Sequence, residues 1–160
     1  SVPAPHEHLP SIPASHLPES VVTRVIVFKT QVEFGDCDPA QIVWFPNFFR
    51  WVDAASRHFF VASGVPLWSE LTRTRGIIGT PLLDTHASFK RTATYGDPIE
   101  VHTSVPDWGN KAFTMRHEIR SGEHLLAEMT EKRAFVQRHP QDPSRMQAIA
   151  VPADIIAMCS

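Results

Sequence analysis

Apolar and polar residues alternate along most of the chain, which predicts a set of strands with one buried face each. The alternating segments cover residues 22–34, 82–95, 99–105, 113–119 and 125–137. The last of them loses its alternation around Glu131 to Arg133, where we expect a β-bulge. Short turns separate the last four strands, so they are expected to pair as an antiparallel meander.

One segment between the first and second strands has helical features instead. Pro46 suits the first turn of a helix and Gly64 suits its end. Between them, apolar side chains cover most of the helix circumference, and the longer polar side chains form a narrow stripe of Asn47, Arg50, Asp53 and Arg57. Such a helix has to be surrounded by a large apolar surface. The fold class predicted is therefore α+β, with one antiparallel sheet curled around a long central helix.

The ends of the chain differ from this pattern. Residues 1–20 contain five prolines and no aromatic residue, so we expect a disordered or loosely attached arm. Residues 21–160 are predicted to form one domain, in keeping with a chain of 160 residues. The segment "VPADIIAMC" near the end predicts a short helix or closing turn.

Composition narrows the classes of function. A formal net charge of -2 gives no indication of a nucleic acid or an anionic membrane as partner. Cys37 and Cys159 form neither a CxxC nor a CxxH spacing, so neither a disulfide framework nor a zinc site is expected. There is no apolar run of about 18 residues and no recognisable signal peptide, so we predict a cytoplasmic protein without a membrane span.

The candidate chemistry lies in an acidic turn just before the central helix, in the stretch "VEFGDCDPAQIVWFPNFFRWVDAA". Taken alone, Asp36 and Asp38 could each simply accept hydrogen bonds from backbone amides in a turn leading into the helix. Cys37 lies between them without an evident partner base, so we interpret it as a small, buried structural cysteine.

The wider motif, F-G-D-x-D-P-A followed by I-V, an aromatic residue, P-N and R-W, resembles the hotdog-fold thioesterases, most closely the 4-hydroxybenzoyl-CoA thioesterase family. The segments "GIIGTPLLDTHASFKRTATYGD" and "VPADIIAMCS" resemble that family as well, and the resemblance extends from about Val27 to the C-terminus. It implies a hotdog fold, hydrolysis of an acyl-CoA, and neither a metal nor a prosthetic group.

The resemblance also implies roles for particular residues. Asp38 matches the catalytic carboxylate, and the amide of Phe45 matches the donor that polarises the thioester oxygen. Trp68 and Thr80 match positions that line the acyl end of the site, and Lys111 matches a region where basic side chains meet the phosphates of the coenzyme. Active sites of this fold form at a dimer interface, so a homodimer is implied, with a tetramer typical of the family.

The chemistry of a helix N-terminus fits these roles, because its unpaired N–H groups and positive dipole end stabilise a developing oxyanion. Asp38 would act either as the nucleophile, giving a mixed anhydride, or as a general base for water. As a base it would need a raised pKa, which a dry aromatic site could provide. The sequence does not distinguish between these two routes.

Three departures from the family pattern concern the substrate. Gln41 stands where glycine is common; we expect the turn to accept glutamine, although a positive φ would strain it. Phe45 replaces a frequent tyrosine, and the Gly109-Asn110 pair leaves few basic residues near Lys111. We expect an aromatic acyl group, 4-hydroxybenzoyl or a similar one. A short or branched acyl group, an acyl carrier protein thioester, and a CoA-binding hotdog protein without turnover are the alternatives.

Overall fold

A computed structural model describes residues 23–160, and the predicted arm of residues 1–20 lies outside the described residues. Five antiparallel strands form the main sheet in the order β1-β4-β5-β6-β3. These strands are β1 (Ile26–Gln31), β3 (Leu82–Phe89), β4 (Pro98–Trp108), β5 (Ala112–Ser121) and β6 (His124–Ala134). The long helix α1 (Pro46–Ala62) packs against β1, β4 and β5. This is the α+β arrangement that the hydrophobic pattern predicts.

Helix α1 forms where the sequence predicts it. It begins at Pro46, and the chain leaves it through Gly64, whose φ of 88° is in the left-handed region. Its inward face repeats at helical spacing and consists of Phe48, Trp51, Val52, Ala55, Ser56, Phe59 and Phe60. The opposite face is not covered within one chain: Val61, for example, is 45% exposed. The sheet therefore surrounds less of the helix than expected.

Strand β3 differs most from its predicted environment. We predicted a half-buried strand over residues 82–95, but the strand ends at Phe89 and lies at the outer edge of the sheet. Leu82, Leu83 and Phe89 are 46%, 57% and 47% exposed. Alternation identifies a strand with one apolar face, but it does not say whether the same chain covers that face.

A second sheet of three short strands, ordered β2-β7-β8, lies beyond the main one. It consists of β2 (Ile77–Gly79), β7 (Val136–Arg138) and β8 (Met146–Ala148). The long strand predicted over residues 125–137 is interrupted at Phe135, where the chain passes from the main sheet to this one. Our predictions did not include β2, β8 or the helix α2 (Trp68–Arg75). The closing helix α3 (Ala153–Met158) is confirmed. None of the helices within residues 23–160 is long and apolar enough to cross a membrane.

The bulge expected around Glu131 to Arg133 is not in that strand. The register shifts on the neighbouring strand instead, where Leu82 and Asp84 pair with two consecutive residues of β6. Strand β6 itself continues to alternate, with Met129, Glu131 and Arg133 buried and the residues between them exposed. The pattern loses its apolar character because two charged residues occupy inward positions.

Candidate active site at the start of the central helix

The first aspartate of the acidic turn is a structural residue. Asp36 is buried, its Oδ2 accepts a hydrogen bond from the Glu33 amide at 2.9 Å, and its Oδ1 accepts one from Arg50 Nη2 at 2.6 Å. Its carbonyl accepts hydrogen bonds from the Trp44 amide and the Asn47 side chain, both at 2.8 Å. Asp36 thus fastens the turn to the first residues of α1, as the interpretation of this residue as a turn former predicts.

The second aspartate is held differently. Asp38 Oδ1 accepts a hydrogen bond from the Ala40 amide at 2.9 Å, which is an Asx turn. The backbone closes through Gln41 N–H to the Asp38 carbonyl at 2.8 Å and Asp38 N–H to the Ile42 carbonyl at 2.9 Å. No residue between 23 and 160 donates a hydrogen bond to Oδ2. The turn fixes one carboxylate oxygen and leaves the other available for chemistry.

Gln41 has a φ of 65°, which corrects our expectation that this turn accepts glutamine without strain. It is the one residue other than glycine with positive φ in the described chain. A left-handed residue with a Cβ costs about 1 kcal/mol, and Thr94 Oγ1 holds the conformation by donating to the Gln41 carbonyl at 2.7 Å. Gln41 lines the same cavity as Asp38, as expected for a side chain near the site.

Phe45, whose amide is the predicted oxyanion donor, lies directly before the first turn of α1. Phe45 is the N-cap residue of α1, and Pro46 after it has no N–H to donate. Within the described chain no backbone carbonyl accepts a hydrogen bond from the Phe45 amide. A free donor at the positive end of a 17-residue helix is suited to an oxyanion.

Asp38 lines a cavity of about 730 Å³. Its walls come from the acidic turn and from the loop after β3, and consist of Phe34, Gly35, Cys37, Asp38, Pro39, Gln41, Thr94 and Tyr95. The Phe34 and Tyr95 rings meet edge to face with centroids 6.0 Å apart, and both side chains are largely exposed. Cys37 is half-buried at this cavity, which corrects our prediction of a buried cysteine.

Trp68 and Thr80 line a different cavity, of about 330 Å³. Trp68 is half-buried and packs edge to face on Phe60 and Phe135, with ring centroids 5.4 and 6.2 Å away. It is therefore both a core aromatic residue and part of a cavity wall. The polar part of this wall includes Asp53 and Arg133.

Lys111 lies at a third, smaller hollow of about 270 Å³. Lys132 of the neighbouring strand lines the same hollow, because Thr114 and Lys132 are paired across β5 and β6. The basic group near Lys111 is therefore larger than the local sequence indicates. The three cavities have no residue in common, so a single chain does not bring Asp38, Trp68 and Lys111 into one site.

Sequence reasoning missed a buried polar group beside the Trp68 cavity. Glu131 Oε1 lies 2.6 Å from His117 Nε2 and accepts a hydrogen bond from Ser56 Oγ at 2.6 Å, while Oε2 accepts one from Arg133 Nη2 at 2.6 Å. Burial alone would raise the pKa of Glu131, but the hydrogen bonds from His117, Arg133 and Ser56 and the charge of His117 lower it from 4.5 to about 2. The blurred alternation in β6 was the available signal, and we misinterpreted it as a bulge.

Comparison with known proteins defines the class. The family model of the Thioesterase-like superfamily matches residues 32–157, and the chain belongs to that family. Its hotdog fold is confirmed by solved structures of thioesterases. A 4-hydroxybenzoyl-CoA thioesterase variant in complex with 4-hydroxybenzoyl-CoA superposes with a TM-score of 0.80 at 42% identity, covering 86% of this chain and 99% of that chain.

Two further relatives indicate the kind of thioesterase. The 4-hydroxybenzoyl-CoA thioesterase of Pseudomonas sp. (strain CBS-3) is 43% identical over 144 residues, which are 87% of this chain and 100% of that protein. A gentisyl-coenzyme A thioesterase has a TM-score of 0.70 at 28% identity, covering 84% of this chain and 98% of that chain. Both are named for aromatic acyl-CoA substrates, and the predicted family resemblance is confirmed.

Proposed function

We propose that this protein hydrolyses an aromatic acyl-CoA of the 4-hydroxybenzoyl type to the free acid and coenzyme A. The proposal rests on one observation: the turn that contains Asp38 is hydrogen-bonded to the N-terminus of α1. The Asp36 carbonyl ties the two together through Trp44 and Asn47, so the free carboxylate oxygen of Asp38 and the free amide of Phe45 belong to one rigid unit. The names and substrates of the relatives support the aromatic acyl group.

Two routes use these groups. In the first, an Asp38 oxygen attacks the thioester carbonyl carbon, and the oxyanion that forms accepts a hydrogen bond from the Phe45 amide. The carbon–sulfur bond then breaks, coenzyme A leaves as thiolate and takes up a proton, and water hydrolyses the mixed anhydride. In the second, Asp38 takes a proton from a water molecule that attacks the same carbon; the carbon–sulfur bond then breaks, the leaving thiolate of coenzyme A takes up that proton, and no covalent acyl-enzyme forms.

A homodimer would complete the site. One chain leaves its Asp38 cavity separate from its Trp68 cavity, and it leaves the apolar edge strand β3 exposed with Leu82, Leu83 and Phe89. Exposed edges of this kind favour pairing with another strand. Pairing of two β3 strands would join the sheets of two copies and offer the Asp38 of one copy to the Trp68 and Thr80 of the other. A tetramer built from two such dimers is the assembly we propose.

The coenzyme would extend towards the hollow that contains Lys111 and Lys132. Two ammonium groups at one hollow can pair with the phosphates of a CoA thioester, and among the described residues no acidic side chain except Asp107 lines it. A cytoplasmic location fits an enzyme whose substrate is a CoA thioester and whose two cysteines are free thiols.

Thiol release from a panel of thioesters tests the function. We expect turnover of benzoyl-, 4-hydroxybenzoyl- or phenylacetyl-CoA to exceed that of acetyl- and hexanoyl-CoA. Preference for the short or aliphatic members would replace the aromatic assignment with a short-chain one. Tight binding of CoA without turnover of any member would indicate a non-catalytic hotdog protein.

A further inference from the structure

A row of polar side chains crosses the core at the point where its two apolar clusters meet. Thr103, His117 and Glu131 come from β4, β5 and β6, and Ser56 comes from α1. Thr103 Oγ1 lies 2.8 Å from His117 Nδ1, and His117 Nε2 lies 2.6 Å from Glu131 Oε1. Two of these residues lie on their strands between members of the two clusters: His117 between Met115 and Ile119, and Thr103 between Val101 and Val105.

Stability alone does not account for this row. Removing charges from water is costly, and well-packed apolar residues in place of a buried ion pair are often as stabilising or more so. Arg133 is nine-tenths buried, and its Nε has no hydrogen-bond partner in the described part of the chain. A buried donor left without an acceptor costs about 1–3 kcal/mol. We therefore looked for a role of this buried polar row in positioning other side chains.

Arg133 connects the row to the Trp68 cavity. Its Nη2 donates to Glu131 Oε2 at 2.6 Å and to Asp53 Oδ1 at 3.2 Å, and its Nη1 donates to the Thr80 carbonyl at 2.9 Å. Asp53 is 68% exposed and belongs to α1, whereas Thr80 belongs to the segment between β2 and β3. One guanidinium thus links both polar edges of the cavity to the core.

The planar fork of Arg133 fixes directions as well as distances. Because Glu131 is held by His117 and Ser56, it cannot turn away and allow the guanidinium to rotate. The Asp53 carboxylate, which lines the same cavity as Trp68, is then held at the cavity wall by its hydrogen bond from Arg133 Nη2. A carboxylate held there accepts a hydrogen bond from a polar substituent of an aromatic ring and gains nothing from an unsubstituted ring.

We propose that Arg133 is a positioning residue that, held by Glu131, determines the preference of the Trp68 cavity for acyl rings with a hydrogen-bond donor. This inference rests on the proposed function. It assigns a role to a group that takes no part in the chemistry at Asp38, since Arg133 lines the other cavity.

The test compares kcat and KM for 4-hydroxybenzoyl-CoA and benzoyl-CoA in the full chain and in Arg133→Lys. Lysine keeps the charge for Glu131 but cannot reach Asp53 and Thr80 together. We expect KM for the hydroxylated substrate to rise about tenfold or more while the values for benzoyl-CoA change little, so that the preference is lost. Arg116→Lys is the matched control, because Arg116 pairs with Glu118 and Glu128 on the outer surface.

A second variant guards against misfolding. Glu131→Gln/Arg133→Met removes both buried charges, and circular dichroism with gel filtration establishes whether it is folded. It is expected to hydrolyse both substrates with equal preference. A merely structural role would lower turnover of both substrates alike, and an unchanged preference in folded variants would overturn the inference. A wild-type protein that hydrolyses neither thioester would refute the proposed function itself, and this inference with it.

Discussion

The buried carboxylate of Glu131 makes the stability of the protein depend on pH in a defined direction. Its pKa is about 2 in the folded protein, compared with 4.5 for an ordinary glutamate, because the hydrogen bonds from His117, Arg133 and Ser56 outweigh the effect of burial. Because the pKa is lower in the folded than in the unfolded protein, the ionised carboxylate stabilises the fold, and this stabilisation is complete above pH 4.5, where the group is ionised in both the folded and the unfolded protein. The stabilisation is lost as the pH falls from 4.5 through 2.

The magnitude follows from the two pKa values. A difference of about 2.5 pH units is equivalent to about 3 kcal/mol at neutral pH. At pH 3 the unfolded chain is mostly protonated at this position while the folded chain is mostly ionised, and about 2 kcal/mol of the contribution has already gone. Since the total stability of a domain is about 5–15 kcal/mol, Glu131→Gln should weaken the protein substantially and still leave it folded near neutral pH.

The assay is urea denaturation of wild type and Glu131→Gln from pH 6 to pH 3, at a fixed protein concentration because assembly contributes to stability. The difference in unfolding free energy should be constant near pH 6 and smaller by about 2 kcal/mol at pH 3. Glu128→Gln is the control: Glu128 lies on the same strand, is 41% exposed and pairs loosely with Arg116, so its effect should be below about 1 kcal/mol. A difference that stays constant over the whole range would refute the lowered pKa of Glu131.

Three other sets of substitutions test separate parts of the structure. Gln41→Gly should leave the protein as stable or about 0.5 kcal/mol more stable in thermal melts, since it removes a left-handed side chain. Ala40→Gly is the control, because Ala40 does not have a positive φ, and this change should destabilise the protein. If Gln41→Gly destabilised the protein as well, the backbone strain inferred at Gln41 would be contradicted. Leu83→Lys should separate the dimer in light scattering while the fold remains, and an unchanged mass would exclude β3 as the interface. Joint replacement of Lys111 and Lys132 by alanine should raise KM for an acyl-CoA but not for the corresponding pantetheine thioester; an equal rise for both would remove the phosphate role.

The sequence was informative wherever a local rule decides the structure. Proline at the start and glycine after the end gave the bounds of α1 almost to the residue, and alternation located the strands of the main sheet. It was less informative where tertiary contacts decide. Nothing in the residues near Trp68 distinguishes the short helix α2 from a loop, and the passage of the chain to a second sheet at Phe135 depends on a partner strand that is remote in sequence.

The candidate site shows the same division. The motif located Asp38 and the start of the helix, and the structure adds the free carboxylate oxygen and the free Phe45 amide. The buried polar row that holds Arg133 could not be predicted, because its members come from four elements and an inward glutamate in a strand is against the usual pattern. Lys132 was missed for a related reason: its closeness to the Lys111 hollow depends on the register between β5 and β6.

The catalytic role of Asp38 is tested most directly by thiol release from 4-hydroxybenzoyl-CoA with wild type, Asp38→Asn and Asp36→Asn, each shown to be folded. We predict that Asp38→Asn keeps its fold and assembly and loses turnover by about 10³-fold or more. Asp36→Asn should lose stability, since it weakens the contacts with Arg50 and the Glu33 amide, and retain most of its kcat where it is folded. Activity of folded Asp38→Asn close to that of wild type would contradict the account.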